Sequence, residues 1–262
     1  MRLYFEVARR SFQRHLTYRV ATLAGLFTNA VFGIFFSSVY RAFYQDGERG
    51  VVADFTLPEI LTFVWIGQSL LMLVYLWNWW EVADSIRTGD VVSDLMKPMD
   101  FQLYWLSRDL GRASCHWLTR FVPTFAMGAL LFDLAWPGTI STWLAFFISV
   151  NLAILVSFGW RFLLNLSAFW LLDVRGINTI AVLVLNFFSG LLVPIAFFPG
   201  WLRTVAEWLP FRAIVMVPVE VFLGQRTPQS ALLIQAFWVV ALRLLGQGVL
   251  NAGGRKLVVQ GG

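Results

Sequence analysis

The chain has 262 residues, of which 58% are hydrophobic and only 13% charged. A soluble domain carries about twice that charged share, and apolar runs of about 20 residues recur along the sequence, which together exclude an ordinary water-soluble globule. The net charge of +5 does not point to nucleic acid, because the arginines gather at the ends of apolar runs, where they orient a chain in a bilayer.

Residues 1–16 come first. On a helical wheel Tyr4, Phe5, Ala8, Phe12 and Leu16 share one face, and Arg2, Glu6, Arg9, Arg10, Gln13 and Arg14 take the other. That pattern predicts an amphipathic helix lying in the membrane interface, its arginines toward anionic head groups. Six apolar spans follow, at about 20–43, 57–80, 116–136, 141–172, 177–198 and 230–251. The expected fold class is therefore all-α: one polytopic membrane domain over 1–262.

Between the second and third spans, "IRTGDVVSDLMKPMD" (Ile86 to Asp100) interrupts the apolar sequence with acids, a glycine and a proline. Asp90 is placed to cap a short helix carrying Val91, Val92, Leu95 and Met96, with Pro98 stopping it. Asp100 is placed to cap a second helix bearing Phe101, Tyr104 and Trp105, which Gly111 would end. Such a corner turns one apolar face to the membrane and presents Arg87, Asp90, Asp94 and Lys97 to a partner.

The fourth span is oversized, since 32 residues of helix at 141–172 would reach about 48 Å against a hydrocarbon core near 30 Å. Within it Ser157, Arg161 and Asn165 fall at i, i+4 and i+8 and make a polar stripe. An arginine there must snorkel, pair with an acid on the Asp173 side, or face a water-filled pathway. After span five, "SGLLVPIAFFPGWLRTVAEWLPFRAIVMVPVEVFLG" carries Pro194, Pro199, Pro210 and Pro218, which forbid one continuous helix. Because broken backbone at membrane depth must be buried in protein or line a cavity, residues 199–226 read as two short re-entrant or surface-embedded helices, hinged near Gly200 and Pro210. An amphipathic surface loop is the alternative.

Lysine and arginine set the orientation. Arg2, Arg9, Arg10, Arg14 and Arg19 precede the first span; Arg87, Lys97, Arg108 and Arg112 follow the second; Arg255 and Lys256 close the chain. The loop after span three has no Lys or Arg, and the loop after span one mixes Arg41 and Arg49 with Asp46, Glu48, Asp54 and Glu59. Both termini and residues 81–115 are thus expected in the cytoplasm. Arg203, Arg212 and Arg226 would lie outside, partly balanced by Glu207 and Glu220.

Two segments in this order, "IRTGDVVSDLMKPMDFQLYWLSRDLGRA" and "SGLLVPIAFFPGWL…LPF…P…LG", resemble the coupling region and the outer segment of type-2 ABC exporter permeases (ABC-2 type), particularly the six-span bacterial branch linked to drug-type export. Size, span count and the N-terminal helix are similar too. The resemblance implies a permease dimer of two identical or paired chains in the bacterial cytoplasmic membrane, driven by separate cytoplasmic ATPase subunits. Residues 81–112 would be the coupling region, with Arg87, Gly89, Asp90, Val91, Asp94, Leu95, Lys97 and Pro98 meeting the ATPase. Spans two and five would line the route, offering Trp65, Gln68, Ser69 and Met72 from one, and Asn186, Phe187 and Ser189 from the other, with Arg161 and Asn165 as further pathway candidates. Pro194, Pro199 and Pro210 would belong to an outer gate. Aromatic and thioether surface with a few hydrogen-bonding groups suits a bulky lipophilic or cationic-aromatic cargo.

Fuel has to come from elsewhere. No G-x-x-x-x-G-K-[ST] occurs, and Lys97 and Lys256 are the only lysines, so no cofactor is expected on this chain and ATP and Mg are expected on the partner. Helix packing, with Ser and Gly bringing helices close and Asn bonding across the interface, is the simpler reading of any one of these positions. A gradient-driven secondary transporter or channel is the alternative function, but it would want ionisable sites at mid-membrane or internal repeats. A membrane enzyme would want clustered acids or nucleophiles; Asp84, Asp90, Asp94 and Asp100 read more simply as capping residues, His15 and His116 lack ligand spacing, and lone Cys115 has no disulfide partner in the chain, so no metal is expected.

Overall fold

The computed structural model describes residues 2–45, 50–77, 79–171 and 173–256, and among these the architecture is helical, with one isolated two-residue β-bridge, Val52 to Phe55. Asp46, Glu48 and Arg49, counted above with the loop after span one, lie outside the described residues. Helix α1 (Arg2–Leu16) leads through Thr17 and Tyr18 into α2 (Arg19–Gln45), whose 27 residues give about 40 Å, enough to cross a bilayer. Helix α3 (Leu57–Leu70) starts where Glu59 accepts from the Thr56 backbone N–H at 2.8 Å, the reciprocal half of a capping box, and it runs on into a π turn over Leu71–Tyr75.

Two short helices follow, α4 (Glu81–Thr88) and α5 (Val91–Leu95), joined by Gly89 at φ 85°. That left-handed conformation is one that a glycine adopts without a Cβ penalty, and it ends α4. Helix α6 (Phe101–His116) begins where Asp100 accepts from the Leu103 N–H at 2.8 Å, as its capping position predicts. Asp90 behaves differently. It occupies the position before α5, but its carboxylate accepts from the Thr88 hydroxyl at 2.7 Å and caps nothing.

Gly111 does not end α6. The helix passes through a π turn at Trp117–Phe121 into α7 (Val122–Leu131), so the third predicted span is the far end of a helical run beginning at Phe101. Gly111 is there for contact: a Cβ on it would stand 2.1 Å from the Ala8 carbonyl oxygen, so its absence lets α1 and α6 touch backbone to backbone.

Helix α8 (Ile140–Leu166) is shorter than expected, closing in a 3-10 turn at Ser167–Phe169. Helix α9 (Arg175–Phe188) has 14 residues. The broken segment contains α10 (Gly200–Glu207), a 3-10 turn at Pro210–Ala213 and α11 (Met216–Phe222), and α12 (Pro228–Gly254) ends the described chain. Among the described residues four helices are long and apolar enough to cross a membrane: α2, α3 with its π turn, α8 with its 3-10 turn, and α12.

The core sits where α3, α8 and α11 meet. Trp65, Ile66, Leu70, Val150, Ile154, Val219 and Phe222 are all essentially sealed, and within the membrane it is their close packing, rather than transfer out of water, that holds the helices together. Residues 210–222 are buried throughout, which rules out a surface loop for that half of the broken segment. Its other half, α10, exposes Trp201 and Trp208. The three arginines that strained the orientation count are all paired: Arg212 with Glu220 (2.5 Å) and Glu207 (3.4 Å), Arg226 with Glu220 (3.2 Å), and Arg203 with Glu207 (3.8 Å) and Asp54 (3.9 Å). By contrast α2 and α12 leave Leu23, Phe27, Phe35, Phe237 and Leu244 facing outward, as helices bathed in acyl chains do.

Candidate functional site

The region between α3 and α6 folds into a small knob with its own core. Val82, Ile86 and Val91 bury their side chains against Phe101 and Trp105 of α6, Phe158, Phe162 and Leu166 of α8, and Leu250 of α12. Outward, Arg87, Gly89, Asp90, Leu95, Lys97 and Pro98 are exposed, and Met96 is 81% exposed. Val91 points inward and is fully buried, so of the eight predicted contact residues it serves the knob's interior. Asp94 is half-buried and bonds both Lys97, at 2.5 Å, and Ser85, at 3.4 Å, tying α5 to α4. The Asp94 hydrogen bond also pushes the Lys97 ammonium pKa up.

Asn165 fastens the knob to α8. Its amide oxygen accepts from the Ala83 N–H at 2.9 Å, in the first turn of α4, and its amide nitrogen donates to the Trp79 carbonyl at 2.8 Å. The first N–H groups of a helix have no partner within it, so a side chain 82 residues away supplies one.

A buried ionic junction lies beside this strap. Arg161 on α8 reaches Asp109 on α6, with Nη2 to Oδ2 at 2.8 Å and Nη1 to Oδ1 at 3.3 Å, while Arg112 Nε donates to the same carboxylate at 2.8 Å. All three residues are at most 7% exposed. Arg161 therefore neither snorkels nor pairs on the Asp173 side; Asp173 accepts from the Arg175 N–H in its own loop. The ring faces of Tyr75 and Trp79 cover the Arg161 guanidinium, each centroid 5.3 Å away.

The junction also caps the broken end of α3. Arg112 donates to the carbonyls of Met72 (2.6 Å) and Leu73 (3.0 Å), and the Ser157 hydroxyl donates to that of Val74. There the chain leaves the helix through Tyr75 at φ 54°, a strained conformation for a bulky residue that packing must hold in place. Of the stripe read from the sequence, Ser157, Arg161 and Asn165 thus all face the ends of α3 and α4. Asp109, which completes the junction, was not singled out, and Arg112 was read only for orientation; the clue was the need for an acid near Arg161, and the i, i+3 pair in α6 meets it.

The expected pathway residues are distributed as follows. Trp65 is fully buried between α2 and α7, against Gly33, Gly128 and Phe132. The Gln68 carbonyl accepts from Asn29 of α2 at 3.1 Å, Ser69 donates to the carbonyl of Trp65, and Met72 lines a cleft beside α1. On α9, Phe187 is 39% exposed and stacks on Phe198 at 4.8 Å, Ser189 is buried, and the Asn186 amide oxygen is buried without a hydrogen bond. Pro194 and Pro210 are buried and Pro199 is exposed. Leu191, just beyond α9, lies 3.6 Å from the place a Cβ on Gly67 would take.

This arrangement, a helical knob keyed into a membrane-compatible bundle, coincides with a match to the family described as ABC-2 family transporter protein over residues 27–261. The chain belongs to the ABC-2 transporter family. It is a multi-pass membrane permease of that family, a transmembrane subunit rather than a catalytic one. No curated protein and no solved structure matches it.

Proposed function

We propose that this ABC-2 protein is the permease subunit of an ATP-driven exporter, working as a homodimer or heterodimer in the bacterial cytoplasmic membrane with both termini inside and six crossings. Separate ATPase subunits would carry ATP and Mg and grip the α4–α5 knob. The supporting observation is the knob's two-sided build: an exposed outer surface at Arg87, Asp90, Leu95 and Lys97, and an inner surface whose Val82, Ile86 and Val91 pack on α8. A push on such a corner is transmitted rather than absorbed, because its core and the Asn165 strap leave no slack between α4 and α8. ATP-driven closure of the ATPases would then rock α8 and its neighbours toward an outward-open state. Arg161 and Asn165 act in this scheme as transmission residues, while Asn186, Phe187 and Met72 remain the candidates for contact with a lipophilic, drug-like cargo.

The test is reconstitution of the chain with its candidate ABC ATPase in proteoliposomes. Replacing Asp90 and Leu95 together should weaken ATPase association and ATP-dependent transport while membrane insertion stays normal. Full transport by the double variant, or transport by the permease alone without an ATPase, would overturn the proposal.

A further inference from the structure

A cleft of about 650 Å³ opens between α1, the start of α2, the end of α3 and α6. Five arginines line it, Arg10, Arg14, Arg108, Arg112 and Arg120, against two carboxylates, Glu81 and Asp109. Both carboxylates are already engaged: Glu81 with Arg108 at 2.9 Å, and Asp109 with Arg112 and Arg161. Among the described residues no acid pairs with Arg14 or Arg120.

Arg120 is the anomaly. It is 6% exposed, on the π turn between α6 and α7, and it donates through Nη2 to the Ala21 carbonyl at 2.6 Å. Its Nε is buried with no acceptor, and so is Nδ1 of His116, a neighbour on the same wall that is 7% exposed. A buried guanidinium without a counter-charge is costly unless something supplies one. His15 closes the other side, its ring 5.6 Å from that of His116, and burial together with the positive charges of Arg112 and Arg14 holds its imidazole below the usual value.

We propose that this cleft binds the phosphate of an anionic ligand, a phosphodiester head group or a free phosphate, with Arg120 and Arg14 supplying the unpaired charge. Guanidinium groups meet phosphate oxygens with paired donors, and here, among the described residues, neither Arg14 nor Arg120 has an acid partner, Arg120 keeping Nε and Nη1 without an acceptor. A membrane lipid is the source the surroundings favour. The sequence places the start of span one, the end of span two and the start of span three at one membrane level, and Ala21, Trp79 and His116 from those boundaries all line the cleft. Tyr18, Trp79 and Tyr104 add the aromatic belt of an interface, and exposed Leu16, Val20 and Leu118 leave apolar surface for acyl chains nearby. The cavity is large enough for a head group with its glycerol. Such a site needs α1 at the membrane surface but is independent of any ATPase.

The experiment is thermal unfolding of the full chain in neutral detergent, followed by tryptophan fluorescence with phosphatidylglycerol, phosphatidylcholine or sodium phosphate added. Phosphatidylglycerol should raise the midpoint of the wild type and of Arg255→Gln, a charge removed outside the cleft. Arg120→Gln should need about tenfold more lipid for the same shift, the size expected for one charge-assisted hydrogen bond. Exposed Arg14→Gln, which does not threaten folding, should need about threefold more; it decides the matter if Arg120→Gln does not fold. A shift with sodium phosphate alone, lost in the same variants, supports the site and assigns it to soluble phosphate. Equal shifts with phosphatidylcholine, equal losses in Arg255→Gln, unchanged responses in both cleft variants, or no response to any probe would each overturn the site.

Discussion

Asp109→Asn is the sharpest single perturbation. The carboxylate is the counter-charge for two buried guanidinium groups, at 2.8 Å from Arg112 and 2.8 Å from Arg161. Asparagine keeps the shape and removes the charge. Arg112 retains the carbonyls of Met72 and Leu73, but Arg161 is left with the Ser157 hydroxyl at 3.3 Å, two ring faces and at most one neutral amide oxygen shared with Arg112. Breaking a buried pair from one side costs about 3–5 kcal/mol, because the surviving charge stays desolvated. For a chain of this length that corresponds to a fall in melting temperature on the order of 10 °C. The assay is the unfolding midpoint of the purified chain in detergent, with Asp109→Leu/Arg161→Met alongside. That double variant replaces one ion pair with apolar groups of similar volume and leaves only Arg112, held by the Met72 and Leu73 carbonyls, without its counter-charge, so it should recover part of the loss. A midpoint for Asp109→Asn within about 2 °C of wild type would refute a counter-charge role, as the expected shift is several times larger. So would a double variant no better than the single one.

Three further expectations bear on the elements around that junction. Gly111→Ala places a methyl group 2.1 Å from the Ala8 carbonyl, so α1 must lift from α6; we expect faster proteolysis of residues 2–16 and a loss of roughly 1–3 kcal/mol. Asn165→Ala removes the partner of the Ala83 N–H and should cost about 1–3 kcal/mol, with amide exchange accelerating at 79–83 while α12 is unchanged. Gly200→Cys, at the start of exposed α10, should react with an impermeant thiol reagent added outside intact cells; labelling from the inside only would reverse the proposed orientation.

Particular residues show how far sequence reading reached. The Asp100 cap, the breaks at Pro199 and Pro210, and the spans α2 and α12 were legible because capping, proline chemistry and apolar runs act over a few neighbouring residues. The third and fifth spans were less so. Arg112, His116 and Arg120 dilute the apolar run through α6 and α7, and α9 closes at Phe188. The π turn at Leu71–Tyr75, after which span two ends, has no local signature in its apolar sequence. For α1, the amphipathic pattern found a helix and an apolar face for the membrane, but not which residues would pack on the rest of the chain. Phe5 and Leu16 are exposed, and Tyr4, Ala8, Ser11 and His15 face α6, where Ser11 donates to the Arg108 carbonyl at 2.7 Å.

From the amino acids alone came the membrane class, the helices and the acid-rich interruption at 86–100, since each depends on composition or short-range periodicity. The tertiary structure decided which polar groups meet: the Asp109 carboxylate with Arg161 at a separation of 52 residues, the Asn165 amide with the Ala83 N–H at 82, the Ser11 hydroxyl with the Arg108 carbonyl at 97. Pairings at such distances follow from how helices pack, and burial makes them consequential, because a charge or amide removed from water takes whichever partner the fold brings within reach.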